Sequence, residues 1–77
     1  EHDCILGEAV HAAPRSVMGG SCSVGRLTLF GIGATARPGV RIGSQVVVGA
    51  GAAIVSDIPD GWVVGGTPAR RIRIDDR

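Results

Sequence analysis

Val24-Gly25-Arg26-Leu27-Thr28-Leu29-Phe30-Gly31-Ile32-Gly33-Ala34-Thr35-Ala36-Arg37-Pro38-Gly39-Val40-Arg41-Ile42-Gly43 is the stretch whose reading decides the fold. An apolar residue recurs in it every six positions, at Val24, Phe30, Ala36 and Ile42, and a small or β-branched residue follows each of the first three by four, at Thr28, Ala34 and Val40. Extended both ways, the apolar series becomes Leu6, Ala12, Met18, Val24, Phe30, Ala36, Ile42, Val48 and Ile54 without a break. Six of those nine are followed directly by glycine (Gly7, Gly19, Gly25, Gly31, Gly43 and Gly49). A helix needs a period near 3.6 and loses about 1 kcal/mol at each interior glycine, so a helix is excluded. Strands alternate with period 2, which divides six, provided that a corner interrupts them every sixth residue; the glycines are expected to relieve the backbone at those corners.

Three hexads make one triangular coil, and successive coils stack by parallel pairing about 4.8 Å apart. The coils are then roughly 6–23, 24–41 and 42–59, and residues 1–5 read as the last part of an earlier coil, so the chain is expected to open in mid-coil. Like stacks on like every 18 residues: Leu6, Val24 and Ile42 form one inward column, Ala12, Phe30 and Val48 a second, Met18, Ala36 and Ile54 a third. Cys4 and Cys22 belong to a further inward column with Val40 and Ile58 and are expected to remain free thiols used for packing. The fold class is all-β, a parallel β-helix of about three coils over residues 1–61. Pro59-Asp60-Gly61-Trp62 has turn chemistry and ends the coils, and residues 62–77 form a cap and basic tail in which Trp62 covers the last coil.

Composition agrees with a narrow prism. The chain has 77 residues, 13 glycines, no tyrosine, one phenylalanine and one tryptophan, so a bulky aromatic core is out of reach, while 44% hydrophobic content argues against disorder. A single domain this small needs an additional source of burial, such as oligomerisation. The net charge of +1, with every basic residue an arginine, gives no field that would attract nucleic acid or a membrane surface. No run reaches the roughly 18 apolar residues of a membrane span, so a soluble chain is expected.

The aliphatic-small-x-x-small pattern resembles that of the hexapeptide-repeat acyltransferases, over about residues 2–70. The resemblance implies that the prism winds left-handed, against the general right-handed rule for parallel crossovers. It also implies an acyl-CoA co-substrate and a homotrimer with active sites between protomers. Gly66-Thr67-Pro68-Ala69-Arg70 resembles the segment that follows the last coil in the family's sugar acetyltransferases. The scaffold also carries γ-type carbonic anhydrases, but zinc needs three histidines there, and this chain has only His2 and His11, so no metal is expected.

Both histidines fall at outward positions of the hexad register. Attack on a thioester needs a base near neutral pH to take the proton of the incoming amine or hydroxyl, and histidine suits that task. A neighbouring carboxylate can fix its tautomer, which makes His2-Asp3 a candidate base and orienter, with Glu1 a weaker substitute for Asp3. His2-Asp3-Cys4-Ile5-Leu6-Gly7-Glu8-Ala9-Val10-His11 resembles a segment of the sialic-acid O-acetyltransferase and UDP-4-amino-sugar N-acetyltransferase group, in which these coils form the C-terminal domain. The resemblance implies that His2 is the general base, that Asp3 raises its basicity, and that His11 contacts acetyl-CoA near the thioester. Further acetyl-CoA contacts carried over from the family's coils fall near Gly20, Ile32 and Ala50, largely through backbone groups. Gly20 lies one 18-residue coil after His2. Among Arg70, Arg71 and Arg73, one meeting a phosphate of coenzyme A stands against a merely solvated tail.

The function expected is transfer of an acetyl group from acetyl-CoA to an amino or hydroxyl group of a sugar or nucleotide-activated sugar. Two alternatives stay open at this point: a non-catalytic β-helix used as a scaffold or trimerisation element, and another hexapeptide acyltransferase acting on serine or a plain sugar.

Overall fold

The computed structural model describes residues 4–74. Nine two-residue strands follow one another at intervals of six: β1 (Ile5–Leu6), β2 (His11–Ala12), β3 (Val17–Met18), β4 (Ser23–Val24), β5 (Leu29–Phe30), β6 (Thr35–Ala36), β7 (Arg41–Ile42), β8 (Val47–Val48) and β9 (Ala53–Ile54). β10 (Trp62–Gly65) and β11 (Arg70–Ile74) close the chain. The strands sort into three faces, β1-β4-β7, β2-β5-β8 and β3-β6-β9, every neighbour parallel. The pairing is that of a period of 18: Leu6 against Val24 and Val24 against Ile42, Ala12 against Phe30 and Phe30 against Val48, Met18 against Ala36 and Ala36 against Ile54. The molecule is a left-handed parallel β-helix of about three turns.

Each two-residue strand turns its first side chain out and its second in. The inward columns Val24–Ile42, Phe30–Val48 and Met18–Ala36–Ile54 are buried, and so are the residues two positions before a strand's inward residue, Cys22, Val40, Thr28, Val46, Ala34 and Ala52, together with Ile58 below Ile42. Leu6 and Ala12 depart from the expectation that the whole column is buried. Both are exposed, Leu6 by 51%, because no described coil stacks on that side of the prism. With Cys4, Ser16 and Met18 they line a cavity of about 270 Å³ at that end. Cys4 and Cys22 are free, each S–H donating to a carbonyl at 3.2 Å, of Gly19 and of Arg37 respectively.

The glycine after each inward residue does not supply the corner's unusual backbone angle, as the sequence suggested. Positive φ falls two positions later, at Ala9, Arg15, Ser21, Leu27, Gly33, Gly39, Gln45 and Gly51. At Ala13–Ser16, Gly31–Ala34 and Arg37–Val40 the fourth residue's N–H donates to the first residue's carbonyl, at 3.1–3.4 Å. Arg37-Pro38-Gly39-Val40 has proline second and glycine third, the preference of a type II turn. The earlier glycine is required for a different reason. A Cβ on Gly25 would stand 2.5 Å from the Ser44 nitrogen, and one on Gly31 would stand 2.6 Å from the Ala50 nitrogen. At these glycines the chain leaves the strand so close to the next coil's backbone that no side chain fits between them, whereas Ala13 and Arg37 hold the same position with a side chain.

Past residue 59 the coil shortens. β10 pairs parallel with β8, Val63 against Val47 and Val64 against Val48, so it adds a parallel strand beyond the point where the sequence ends the coils. That step is 16 residues instead of 18, which is why hexad counting cannot see it. β11 then returns antiparallel on the edge, with a bulge opposite Val63–Val64. Fully buried Val64 lies beneath Val48, Ile58 bridges to Ile42, and half-buried Trp62 packs against the core with the Arg71 guanidinium 5.2 Å from its ring centroid. Two carboxylates finish the edge of the last coil: Asp57 accepts the Arg41 N–H at 2.9 Å and Asp60 the Ser44 N–H at 2.8 Å.

Candidate active site

The prism fixes the outward side chains as firmly as the inward ones. His11 opens β2; its backbone N–H donates to the Thr28 carbonyl at 3.0 Å, and its exposed side chain heads an outward column continued by Leu29, Val47 and Val63. Ile32 and Ala50 follow β5 and β8 by two residues and occupy equivalent positions of the corner between the β2 and β3 faces. The Ile32 carbonyl accepts the Gly51 N–H at 2.8 Å, which locks the two corners together. Gly20 occupies the corner between the β3 and β4 strands, where its carbonyl accepts the Gly39 N–H at 2.9 Å. His11, Ile32 and Ala50 therefore share one side of the prism, and the whole β3 face separates them from Gly20. His2 and Asp3 lie outside the described residues.

Gly20, Ile32 and Ala50 share one structural property. Each stands second in its corner turn, where the chain has left the ladder, and none of their N–H groups has a hydrogen-bond acceptor among the described residues. At the equivalent positions Pro14 and Pro38 have no N–H, Ser44 is satisfied by Asp60, and Glu8 and Arg26 have N–H groups as spare as these three. The corners thus present spare backbone donors to a ligand without side-chain chemistry, and an isolated donor there favours a carbonyl or phosphate oxygen.

Sequence reasoning missed the groove that flanks the His11 column. Ala9, Leu27, Leu29 and Gln45 line about 430 Å³ along the β2 face and its preceding corner. Leu27 and Leu29 are some two-fifths exposed, an apolar wall in which Leu29 lies directly below His11 and Leu27 occupies the neighbouring corner. These positions scatter along the chain and meet only because Ala9, Leu27 and Gln45 are 18 residues apart. Among the described residues no group of three or more His, Cys, Asp or Glu side chains could hold a metal ion, and no helix is long and apolar enough to cross a membrane.

No family model matches the chain. Individual proteins do. An acetyltransferase domain of PglB from Neisseria gonorrhoeae superposes with a TM-score of 0.91 at 44% identity, covering 92% of this chain and 35% of that one, and has also been solved in complex with acetyl coenzyme A. PerB from Caulobacter crescentus, solved with CoA and GDP-perosamine, gives a TM-score of 0.92 at 44% identity over 94% of this chain and 35% of its own. The chain belongs to the hexapeptide-repeat acyltransferases. Among curated relatives, YvoF of Bacillus subtilis, which is named for an acetyltransferase activity assigned to it without proof, is 43% identical over 53 residues, 69% of this chain and 31% of the relative. A 2,3,4,5-tetrahydropyridine-2,6-dicarboxylate N-acetyltransferase of Clostridium perfringens is 44% identical over 55 residues. The chain spans about a third of the length of the first of these hexapeptide-repeat relatives and less than a quarter of the second.

Proposed function

We propose that this chain forms the acetyl-CoA-binding part of an acetyltransferase that acylates an amino or hydroxyl group of a nucleotide-activated sugar. The observation that carries the reading is the 44% identity, over 92% of the chain, to an acetyltransferase domain solved with acetyl coenzyme A. The spare N–H groups of Ile32 and Ala50 offer donors to the amide carbonyls of a pantetheine arm laid along the corner, with its thioester near His11. His2 removes the proton from the acceptor as that atom attacks the thioester carbonyl, Asp3 holds the imidazole in the right tautomer, and the thiolate leaves with little acid help. Holding donor and acceptor at contact distance supplies much of the acceleration.

A homotrimer completes this site. Gly20 follows His2 by one 18-residue period and lies across the prism from His11, Ile32 and Ala50, so a site that uses all of these residues draws its two halves from neighbouring protomers. Packing of prisms also answers the burial problem of a 77-residue chain. Use of acetyl-CoA fits a cytoplasmic location.

A second reading keeps the donor and changes the acceptor. Relatives of similar identity are named for a cyclic imine dicarboxylate and for perosamine, so the coils track the acetyl donor more closely than the acceptor. Calorimetry separates these readings from a bare scaffold: acetyl-CoA binding near one site per protomer is expected, and a folded protein that binds none is a scaffold. A His2→Ala variant should keep acetyl-CoA affinity and lose transfer to a nucleotide amino sugar, and unchanged turnover removes His2 as the base.

A further inference from the structure

We infer that Arg15 binds a diphosphate, the group that coenzyme A and a nucleotide-activated sugar have in common; the inference rests on the acetyl-transfer reading above. Arg15 stands third in the corner between the β2 and β3 faces, in one column with Gly33 and Gly51, and all three have positive φ, 64°, 72° and 72°. The lower two coils meet that demand with glycine, which adopts the left-handed region freely, whereas arginine is strained there. Left-handed side-chain residues also occur at Ala9, Ser21, Leu27 and Gln45, so the strain alone does not single Arg15 out.

Its surroundings do. Among the described residues the Arg15 side chain has no ion pair, hydrogen bond or ring contact, whereas Arg26 meets Glu8 at 3.5 Å and Arg71 lies over Trp62. Arg37, Arg41 and Arg70 also lack such partners, but Arg37 and Arg41 belong to the corner and face on the other side of the prism and Arg70 to the edge strand β11. Arg15 alone shares the corner that carries the spare N–H groups of Ile32 and Ala50, and it follows His11 by four residues. The rest of that corner is Pro14, Ile32, Ala50 and small residues, with no carboxylate to cancel the cation. A guanidinium meets two phosphate oxygens at once through its planar fork, which suits it to a diphosphate better than an ammonium. If the pantetheine arm lies on Ile32 and Ala50 with its thioester at the His11 level, its own diphosphate is far down the coils, and the diphosphate at Arg15 is that of the acceptor.

The test compares the wild-type chain with Arg15→Gly and Arg15→Lys, titrated calorimetrically with uridine diphosphate and, separately, with coenzyme A. Arg15→Gly suits the backbone angle, so folding is not at risk. The expected result is uridine diphosphate affinity lowered about ten-fold or more in Arg15→Gly, the size of one charge-assisted pair, with Arg15→Lys in between and coenzyme A affinity unchanged. Loss of coenzyme A affinity with uridine diphosphate unaffected assigns the same contact to the donor. Equal affinities in all three proteins for both ligands, or a wild type that binds neither, overturn the inference. Failure of the acetyl-transfer reading looks different: coenzyme A does not bind and no acetyl moves, while uridine diphosphate binding still depends on Arg15.

Discussion

Glycine has two separable roles in this chain, and the pair Gly25 and Gly33 distinguishes them. Gly25 is excluded from having a side chain by the Ser44 backbone of the next coil, and that contact relaxes only if the coils part. A Cβ on Gly33 would have nothing within 4 Å, but the residue carries a φ of 72°. Gly25→Ala should therefore cost about 3 kcal/mol, at the upper end of overpacking effects. Gly33→Ala should cost about 1 kcal/mol or less, because left-handed strain is offset by a less flexible unfolded chain. Denaturant unfolding of the two variants measures the difference. Thr28 is the one buried polar side chain among the described residues: its hydroxyl donates to the Gly43 carbonyl at 2.7 Å and accepts the Val46 N–H at 3.2 Å. Thr28→Val keeps the shape but leaves the Val46 N–H without a side-chain acceptor, so a loss of about 1–3 kcal/mol is expected in the same measurement.

At the scale of the element, strands two residues long have no stability of their own and exist because each coil is paired above and below. The weak point of such a stack is its end, where a row of N–H groups has no next coil. Asp57 accepts the Arg41 N–H in place of a further strand's carbonyl, Asp60 accepts the corner N–H of Ser44, and β10 supplies the last strand for β8. Asp60→Ala should cost about 1 kcal/mol, the typical net worth of a hydrogen bond. Amide exchange should show the loss as local fraying: the Ser44 amide exchanges faster, while Phe30 and Val48 amides keep their protection. Uniform loss of protection across all coils would mean that the carboxylate supports the whole prism instead of its end.

At the scale of the whole molecule, the arrangement of outward residues decides what one protomer can do. His11, Ile32 and Ala50 line one side and Gly20 another, so a single prism presents half of the proposed site on each. Sedimentation equilibrium should give three times the 7.8 kDa chain mass. Leu29→Glu, placed in the apolar wall below His11, is expected to shift that mass toward the monomer and to weaken acetyl-CoA binding together with it. Trimer mass retained with acetyl-CoA affinity intact would place the β2 face outside the protomer interface. His11→Ala in an intact trimer should weaken acetyl-CoA without changing the mass, measured by calorimetry on the same samples.

The sequence by itself determined the prism, its three-coil length and the 18-residue register, because a hexad repeat admits one way of turning every aliphatic residue inward. Spacing also put His11 outward, since a residue's place in the hexad dictates its direction, whereas Gly20, Ile32 and Ala50 came from the resemblance and were shown to hold equivalent corner positions only by the structure. Only the tertiary structure decided why the glycines recur, because the close contact they permit is with a backbone 19 residues away along the chain. It likewise decided how the coils finish, since the shortened step to β10 and the carboxylates that finish the last coil follow no period. The corner that gathers Arg15 with the spare N–H groups of Ile32 and Ala50, and the groove formed by Ala9, Leu27, Leu29 and Gln45, come from stacking, which joins residues that no local pattern connects.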